Sequence, residues 1–195
     1  MRIISGSAAN RILKVPKGFD VRPTPDLVRQ AVFNSLGERV GGARVLELFA
    51  GTGALSLECL SRGASTAVCV EKSNRHAQFI RQNLAAASLP PGSLQIRIQD
   101  AFAALAQMAA AGEKFDLILA DPPYGEKNVG RRSTSFAQQL LDDSNLAGLL
   151  ADRGRLVLGH TKRDTLSLPG TWEEIKMLRH GDTVMRFLAV RNSPA

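Results

Sequence analysis

A chain of 195 residues with 44% apolar content can fill one core, so one domain with a small appendage is expected. No apolar run is long enough to span a bilayer, and Met1 to Gly6 lack the apolar stretch of a secretory signal. Cys59, Cys69, His76, His160 and His180 form no paired or metal-ligating pattern, so a metal-free cytoplasmic protein with reduced thiols is expected, without membrane association. Of the +7 net charge, five units fall in residues 1–44, where Arg2, Arg11, Lys14, Lys17, Arg22, Arg29, Arg39 and Arg44 face Asp20, Asp26 and Glu38. A basic arm on a near-neutral body points to a polyanionic partner; a merely solubilising surface is the alternative.

Ile3-Ile4 and Ile12-Leu13-Lys14-Val15 pattern as a short strand pair, too small to be stable alone. Thr24 then Pro25 reads as an N-cap with proline at the first helical position, opening a helix to about Leu36. From residue 44 onward, strand-like runs alternate with helical patterns. Val45 to Leu48 precedes a glycine loop and a helix near 53–62; Ala67 to Glu71 precedes an amphipathic stretch near 73–87. Leu94 to Ile98 is a third strand, followed after Asp100 by an alanine-rich helix. Phe115 to Ala120 is a fourth strand, and Arg155 to Gly159 a fifth, after a helix near 135–150. Such alternation with apolar strands means a parallel sheet covered on both faces. Trp172 to Leu178 and Thr183 to Val190 flank His180-Gly181-Asp182, a hairpin signal. The predicted architecture is therefore α/β and Rossmann-like, a mostly parallel sheet closed by an antiparallel C-terminal hairpin. Residues 1–24 lie outside this alternation and are expected to form an extension dispensable for the sheet, with 25–195 as the main domain.

Glu47-Leu48-Phe49-Ala50-Gly51-Thr52-Gly53 sits where a strand meets a helix, the crevice position for ligands in open α/β sheets. Gly51 and Gly53 let backbone approach a ligand closely. Dinucleotide binding is the rival reading, but Ser56 replaces the third glycine of G-x-G-x-x-G, and the Glu47 charge would oppose a pyrophosphate. A carboxylate there favours S-adenosylmethionine, which has no phosphate and carries a sulfonium and an ammonium. Glu71 ends the second strand, placed to accept ribose hydroxyls, and Asp100 ends the third, placed to accept from an adenine amine. Asp100 taken alone reads equally as a helix N-cap. Three acids at successive strand ends describe a nucleoside pocket.

Asp121-Pro122-Pro123-Tyr124 follows the fourth strand on the same edge. The prolines lack N–H groups, so the turn offers acceptors without competing donors. An exocyclic amine has two N–H bonds to be held, by the Asp121 carboxylate and the Pro122 carbonyl. Tyr124, the single tyrosine of the chain, offers a face for a base to stack on. Such acceptors stabilise charge developing on an amine as it is alkylated, with no metal or covalent nucleophile. A base inside a duplex must first be flipped out.

Glu47 to Gly53 with Asp121 to Tyr124 resembles the class I methyltransferase fold in its amino-methylating branch. Arg2 to Gly6, Leu13 to Pro16, Arg22-Pro23-Thr24, Val28-Arg29 with Phe33-Asn34, and Gly181-Asp182-Thr183 narrow the resemblance. Over nearly the whole chain they are similar to the RsmD family of bacterial 16S ribosomal RNA guanine-N2 methyltransferases. The resemblance implies S-adenosylmethionine bound at Glu47, Phe49, Gly51, Gly53, Glu71 and Asp100. It places the target amine at Asp121, Pro122 and Tyr124, and RNA contacts on the N-terminal extension at Arg2, Arg11, Lys14, Lys17 and Arg22. The implied partner is 16S ribosomal RNA within a small-subunit particle, met by a monomer. The chain departs from the family at Ala9-Asn10-Arg11, where Arg-Gly-Arg is usual, and at His160, where an acid is frequent. Two other readings stay open. A DNA adenine-N6 methyltransferase would use the same loop but normally needs a recognition insertion, and a non-catalytic RNA-binding assembly factor would have little need of Asp-Pro-Pro-Tyr.

Overall fold

The computed structural model describes residues 1–16, 24–125, 127–128 and 131–191. Its sheet contains β1 (Arg44–Leu48), β2 (Thr66–Val70), β3 (Leu94–Arg97), β4 (Phe115–Ala120), β5 (Leu150–Thr161), β6 (Trp172–His180) and β7 (Thr183–Val190). They lie in the order β3-β2-β1-β4-β5-β7-β6. Neighbours from β3 to β5 pair in parallel, and β7 pairs antiparallel with both β5 and β6. Gly181, with φ +60°, makes the turn that returns β6 into β7. Successive side chains in a strand point to opposite faces, and the core divides accordingly. Val45, Cys69, Leu117, Leu119 and Val157 join one cluster; Leu46, Leu48, Val70, Ile118 and Leu158 join the other. Helices α1 (Asp26–Leu36), α2 (Ala54–Ser61) and α3 (Asn74–Ala86) supply Phe33, Leu57 and Ile80 to the first cluster. Helix α4 (Ala101–Ala110), with α5 (Phe136–Asp142) and α6 (Ser144–Gly148), supplies Leu105, Leu140 and Leu146 to the second. The chain leaves β1 towards β2 on one side and reaches β4 on the other. The loops after β1 and β4 therefore part at a switch point, where open α/β sheets form a ligand crevice. No helix among the described residues is long and apolar enough to cross a membrane.

Two elements differ from their sequence reading. The stretch 135–150 is two short helices rather than one, because Asp143 adopts ψ 120° and its carboxylate accepts from the Asn145 N–H at 2.8 Å, restarting the helix. Strand β5 begins at Leu150 rather than Arg155, with a pairing irregularity opposite Phe115–Leu117 and a left-handed Arg153 at φ +58°.

The two N-terminal runs pair antiparallel, through the Arg2–Ile12 bridge and the backbone hydrogen bonds from Ile3 N–H to the Arg11 carbonyl and from Leu13 N–H to the Met1 carbonyl, and Ile3, Ala8 and Leu13 are buried in the first cluster. The carboxylate of Glu58, fully buried on α2, accepts from the Ile4 N–H (2.7 Å), the Ser5 N–H (3.1 Å) and Arg62 Nε (2.7 Å). Asn83 of α3 accepts from the Lys14 N–H at 2.7 Å and donates to the carbonyls of Lys14 and Thr52. At Gly6 (φ +87°) a Cβ would stand 1.8 Å from the Ser61 carbonyl oxygen, so only glycine lets the segment lie this close to α2. Residues 1–14 thus pack into the core against α2 and α3. Thr24 is not the N-cap of α1. The helix opens at Asp26 after Pro25, with no side-chain cap, and the Thr24 hydroxyl is used elsewhere.

Candidate active site

Asp100, Glu71, Gly51 and Asp121 follow β3, β2, β1 and β4, which are successive neighbours in the sheet. At a strand spacing near 4.8 Å they are spread over about 14 Å of the carboxyl edge. A cavity of about 560 Å³ runs along this edge, and its walls include Phe49, Gly51, Glu71, Lys72, His76, Gln99, Asp100, Asp121, Pro122, Tyr124 and Phe136.

The glycine loop is shaped by its own glycines and by two acids. Gly51 (φ +56°) turns its N–H to Glu71 Oε2 at 2.8 Å. Glu71 Oε1 accepts from the Ser73 N–H at 2.8 Å and has His76 Nδ1 at 3.6 Å. Glu71 is thereby fixed beside the cavity, with lone pairs to spare for hydroxyls. Asp100 Oδ1 caps α4, accepting from Phe102 (2.9 Å) and Ala103 (3.3 Å), and the residue also lies on the cavity wall.

Two residues expected at the cofactor, Glu47 and Gly53, are not on the cavity wall. Glu47 is buried and absent from the cavity wall. Its carboxylate accepts from the Leu55 N–H (3.3 Å) and Ser56 N–H (2.8 Å), the first amides of α2, with Cys69 Sγ at 3.5 Å. Burial raises its pKa, and these hydrogen bonds oppose the rise. Gly53 (φ +73°) is also absent from the wall, and a Cβ there would press on Ile80 Cγ2 at 2.9 Å. Phe49, a non-glycine residue at φ +57°, does line the cavity. Its ring centroid lies 5.5 Å from that of Phe136 and 6.3 Å from that of Phe102, an aromatic floor that no periodicity in the sequence announces.

Asp121 is held from two sides. Its Oδ2 accepts from the Thr24 hydroxyl at 2.5 Å, while its Oδ1 is buried with no hydrogen-bond partner among the described residues. Burial pushes its carboxyl pKa up and the Thr24 bond opposes that. The Tyr124 hydroxyl lies 3.0 Å from Thr183 Oγ1, which anchors the ring to the start of β7 while leaving the residue 40% exposed. Gly181-Asp182-Thr183, legible in the sequence only as a turn and a family signature, therefore also positions the aromatic ring.

His160, one of the two departures from the family pattern, is held by backbone carbonyls and Arg186. Its Nδ1 lies 2.9 Å and 3.1 Å from the carbonyls of Thr161 and Asp164, and its Nε2 accepts from Arg186 Nε at 3.1 Å. That arrangement fits only a neutral ring protonated at Nδ1. Of the expected RNA-contacting cations, Arg2, Arg11 and Lys14 are exposed on the N-terminal segment, away from the cavity wall; Lys17 and Arg22 lie outside the described residues. Sequence reading passed over a second basic surface. A hollow of about 690 Å³ shares Pro123, Tyr124 and Phe136 with the first cavity and adds Lys127, Arg131 and Arg132. Among the described residues no cluster of three side chains is placed to hold a metal ion.

The residues present fit S-adenosylmethionine: an acid beside a glycine turn, a second acid on the next strand end, an aromatic floor, and an orphaned carboxylate oxygen where a target amine would sit. Fold and cavity together define a class I S-adenosylmethionine-dependent methyltransferase. The chain belongs to the RsmD family, whose model, described as Conserved hypothetical protein 95, matches residues 1–189. It is 35% identical to Bacillus subtilis YlbH over 179 residues, covering 92% of this chain and 91% of that protein. It is 34% identical to the Escherichia coli K12 "Ribosomal RNA small subunit methyltransferase D" over 173 residues, covering 88% of this chain and 81% of that protein. The solved structure of Escherichia coli yhhF superposes with a TM-score of 0.78 at 31% identity, covering 97% of each chain.

Proposed function

We propose that this enzyme methylates ribosomal RNA, transferring the methyl group of S-adenosylmethionine to the exocyclic N2 amine of a loop guanine in 16S RNA. The reading further places it in the cytoplasm as a monomer, acting on a small-subunit particle. The observation that carries it is Asp121 Oδ1, a buried acceptor without a partner among the described residues, beside a cavity fit for the cofactor. A buried unsatisfied acceptor is costly, and a ligand N–H is what would satisfy it.

S-adenosylmethionine, when bound, supplies a methyl group on a sulfonium, an electrophile that needs only an aligned lone pair. This chain's residues supply the alignment. Asp121 Oδ1 and the Pro122 carbonyl accept the two N–H bonds of the amine, and Tyr124 stacks on the base. As the nitrogen takes on positive charge, the carboxylate stabilises it; burial, which raises the Asp121 pKa, suits the group to take the proton then shed. Lys127, Arg131 and Arg132 beyond Tyr124 suit the phosphates flanking a base drawn into the cavity, and the N-terminal cations suit more distant ones. Guanine N2 is engaged in Watson–Crick pairing, so an unpaired loop guanine is the easiest to present.

Labelled methyl groups from S-adenosylmethionine should pass to small-subunit particles from a strain lacking this protein. Particles from the parent strain, already modified, should accept none. Equal labelling of both would reject the reading.

A further inference from the structure

The two oxygens of Asp121 have opposite fates. Oδ2 is taken by Thr24 at 2.5 Å, from a residue 97 positions earlier in the chain; Oδ1 is buried and has no hydrogen-bond partner among the described residues. An ionised carboxylate has only acceptors, so the Thr24 hydroxyl is the donor. On β5, a Cβ on Gly159 would stand 2.3 Å from Oδ1, so the bare backbone of that strand leaves the carboxylate its place. The carboxylate is therefore bracketed between the backbone of one strand and the hydroxyl that precedes α1.

We infer that Thr24 is a positioning residue for methyl transfer: its hydroxyl occupies Asp121 Oδ2 and so leaves Oδ1 aimed at the target amine. This rests on the reading of the site as an amino-methylating one. Among the described residues, Thr24 alone donates to Oδ2. Without the hydroxyl, a buried oxygen is left unpaired, and the carboxylate relieves this by rotating or by holding a proton. Either response spoils the acceptor: a rotated group misplaces Oδ1, and a protonated one offers a donor to an amine that has only donors to give. Thr24 also stands two positions after Arg22, within the segment whose cations are proposed to meet RNA.

The test compares Thr24→Val, which keeps the shape and removes the hydroxyl, with Thr24→Ser, which keeps the hydroxyl. Thr24→Val should lower kcat on small-subunit particles by about 100-fold, the scale of a misplaced reacting group, while S-adenosylmethionine Kd and RNA KM stay near those of the parent. Thr24→Ser should restore most of the rate. A Val variant as fast as the parent, a loss carried by KM or cofactor Kd, or a Ser variant as slow as Val would overturn the inference. A second readout needs no turnover: the carboxyl 13C resonance of Asp121 should move in Thr24→Val and not in Thr24→Ser. If the parent protein methylates no RNA, the functional reading falls. The resonance still decides the Thr24 contact, and an unmoved signal in Thr24→Val overturns it.

Discussion

The bare backbone of Gly159 makes room for the Asp121 carboxylate: a Cβ at residue 159 would lie 2.3 Å from Oδ1. Gly159 sits in mid-strand, where its own backbone needs no glycine, so space rather than conformation demands the small residue. In Gly159→Ala the atom that must yield is the tip of a side chain, so the sheet should form. The carboxylate, however, must leave its place. The methylation rate should fall by about 100-fold, comparable to loss of one preorganised group, with cofactor affinity nearly intact. Single-turnover rates beside calorimetric titration would check this. A variant as fast as the parent would show that Oδ1 need not stand where it does.

The two glutamates of the cofactor region should separate cleanly. Glu71 faces the cavity, and Glu71→Ala should weaken S-adenosylmethionine binding by about 1–3 kcal/mol as charge-assisted acceptors are lost. Glu47 faces the first amides of α2 instead, so Glu47→Ala should lower stability by about 1–2 kcal/mol, the scale of a lost helix cap, and affect binding less. Thermal melts and titrations of both variants read the difference. The opposite pattern would return Glu47 to the cofactor.

Deletion of residues 1–14 should unfold the protein rather than merely blunt RNA binding. Each of Ile3 and Leu13 returned to water costs about 1.5–3 kcal/mol, and removing the amides that serve Glu58 and Asn83 leaves buried acceptors bare. These losses approach the whole stability of an ordinary domain, about 5–15 kcal/mol. Changing Arg2, Arg11 and Lys14 to glutamine keeps the core packing and the backbone hydrogen bonds while removing the charge. It should weaken RNA binding, and the salt dependence should become shallower by about 0.7 for each phosphate no longer neutralised. A folded truncation, or an unchanged salt slope in the triple variant, would contradict one half or the other.

His160 should give the fold a pH dependence. Burial, then the Arg186 cation, lowers its pKa; the Thr161 and Asp164 carbonyls and the Asp164 carboxylate oppose this, and Glu174 holds the far side of Arg186. Below the ordinary histidine pKa of about 6.5, the unfolded chain takes up a proton that the folded chain refuses. Stability is therefore complete above that pH and falls as pH drops below it, by about 1.4 kcal/mol per pH unit until the folded pKa is reached. The raised carboxylates Glu47 and Asp121 act with the opposite sign at lower pH, so the contribution is read as the difference between parent and His160→Gln in urea denaturation. Parallel curves between about pH 7 and pH 5.5 would deny it.

Where period and punctuation are local, the sequence is legible. Strand β4, Phe115–Ala120, is readable to the residue, because its apolar run is bounded by Lys114 on one side and Asp121-Pro122 on the other. The acids at strand ends and the Asp-Pro-Pro-Tyr turn are legible for the same reason. What escapes depends on distant partners. Ile3 and Leu13 sit in short apolar runs too brief to show which residue faces inward, and their burial goes with the contacts of the segment to Glu58 and Asn83 on α2 and α3. Thr24 beside Pro25 has the local form of a cap, yet its hydroxyl answers to Asp121 across the fold. Glu47 stands at the strand end as expected, but only the position of α2 determines which way its carboxylate turns. The cations beyond Tyr124 come from the loop after β4, where no charge run marks them as a surface.

The most direct test is the chemical identity of the product. Small-subunit RNA from particles lacking the modification, treated with the purified protein and S-adenosylmethionine, is digested to nucleosides and resolved by mass. N2-methylguanosine should rise by one residue per particle over the untreated control. N6-methyladenosine in its place, or no methylated nucleoside at all, would contradict the assignment of guanine N2 to the Asp121–Tyr124 loop.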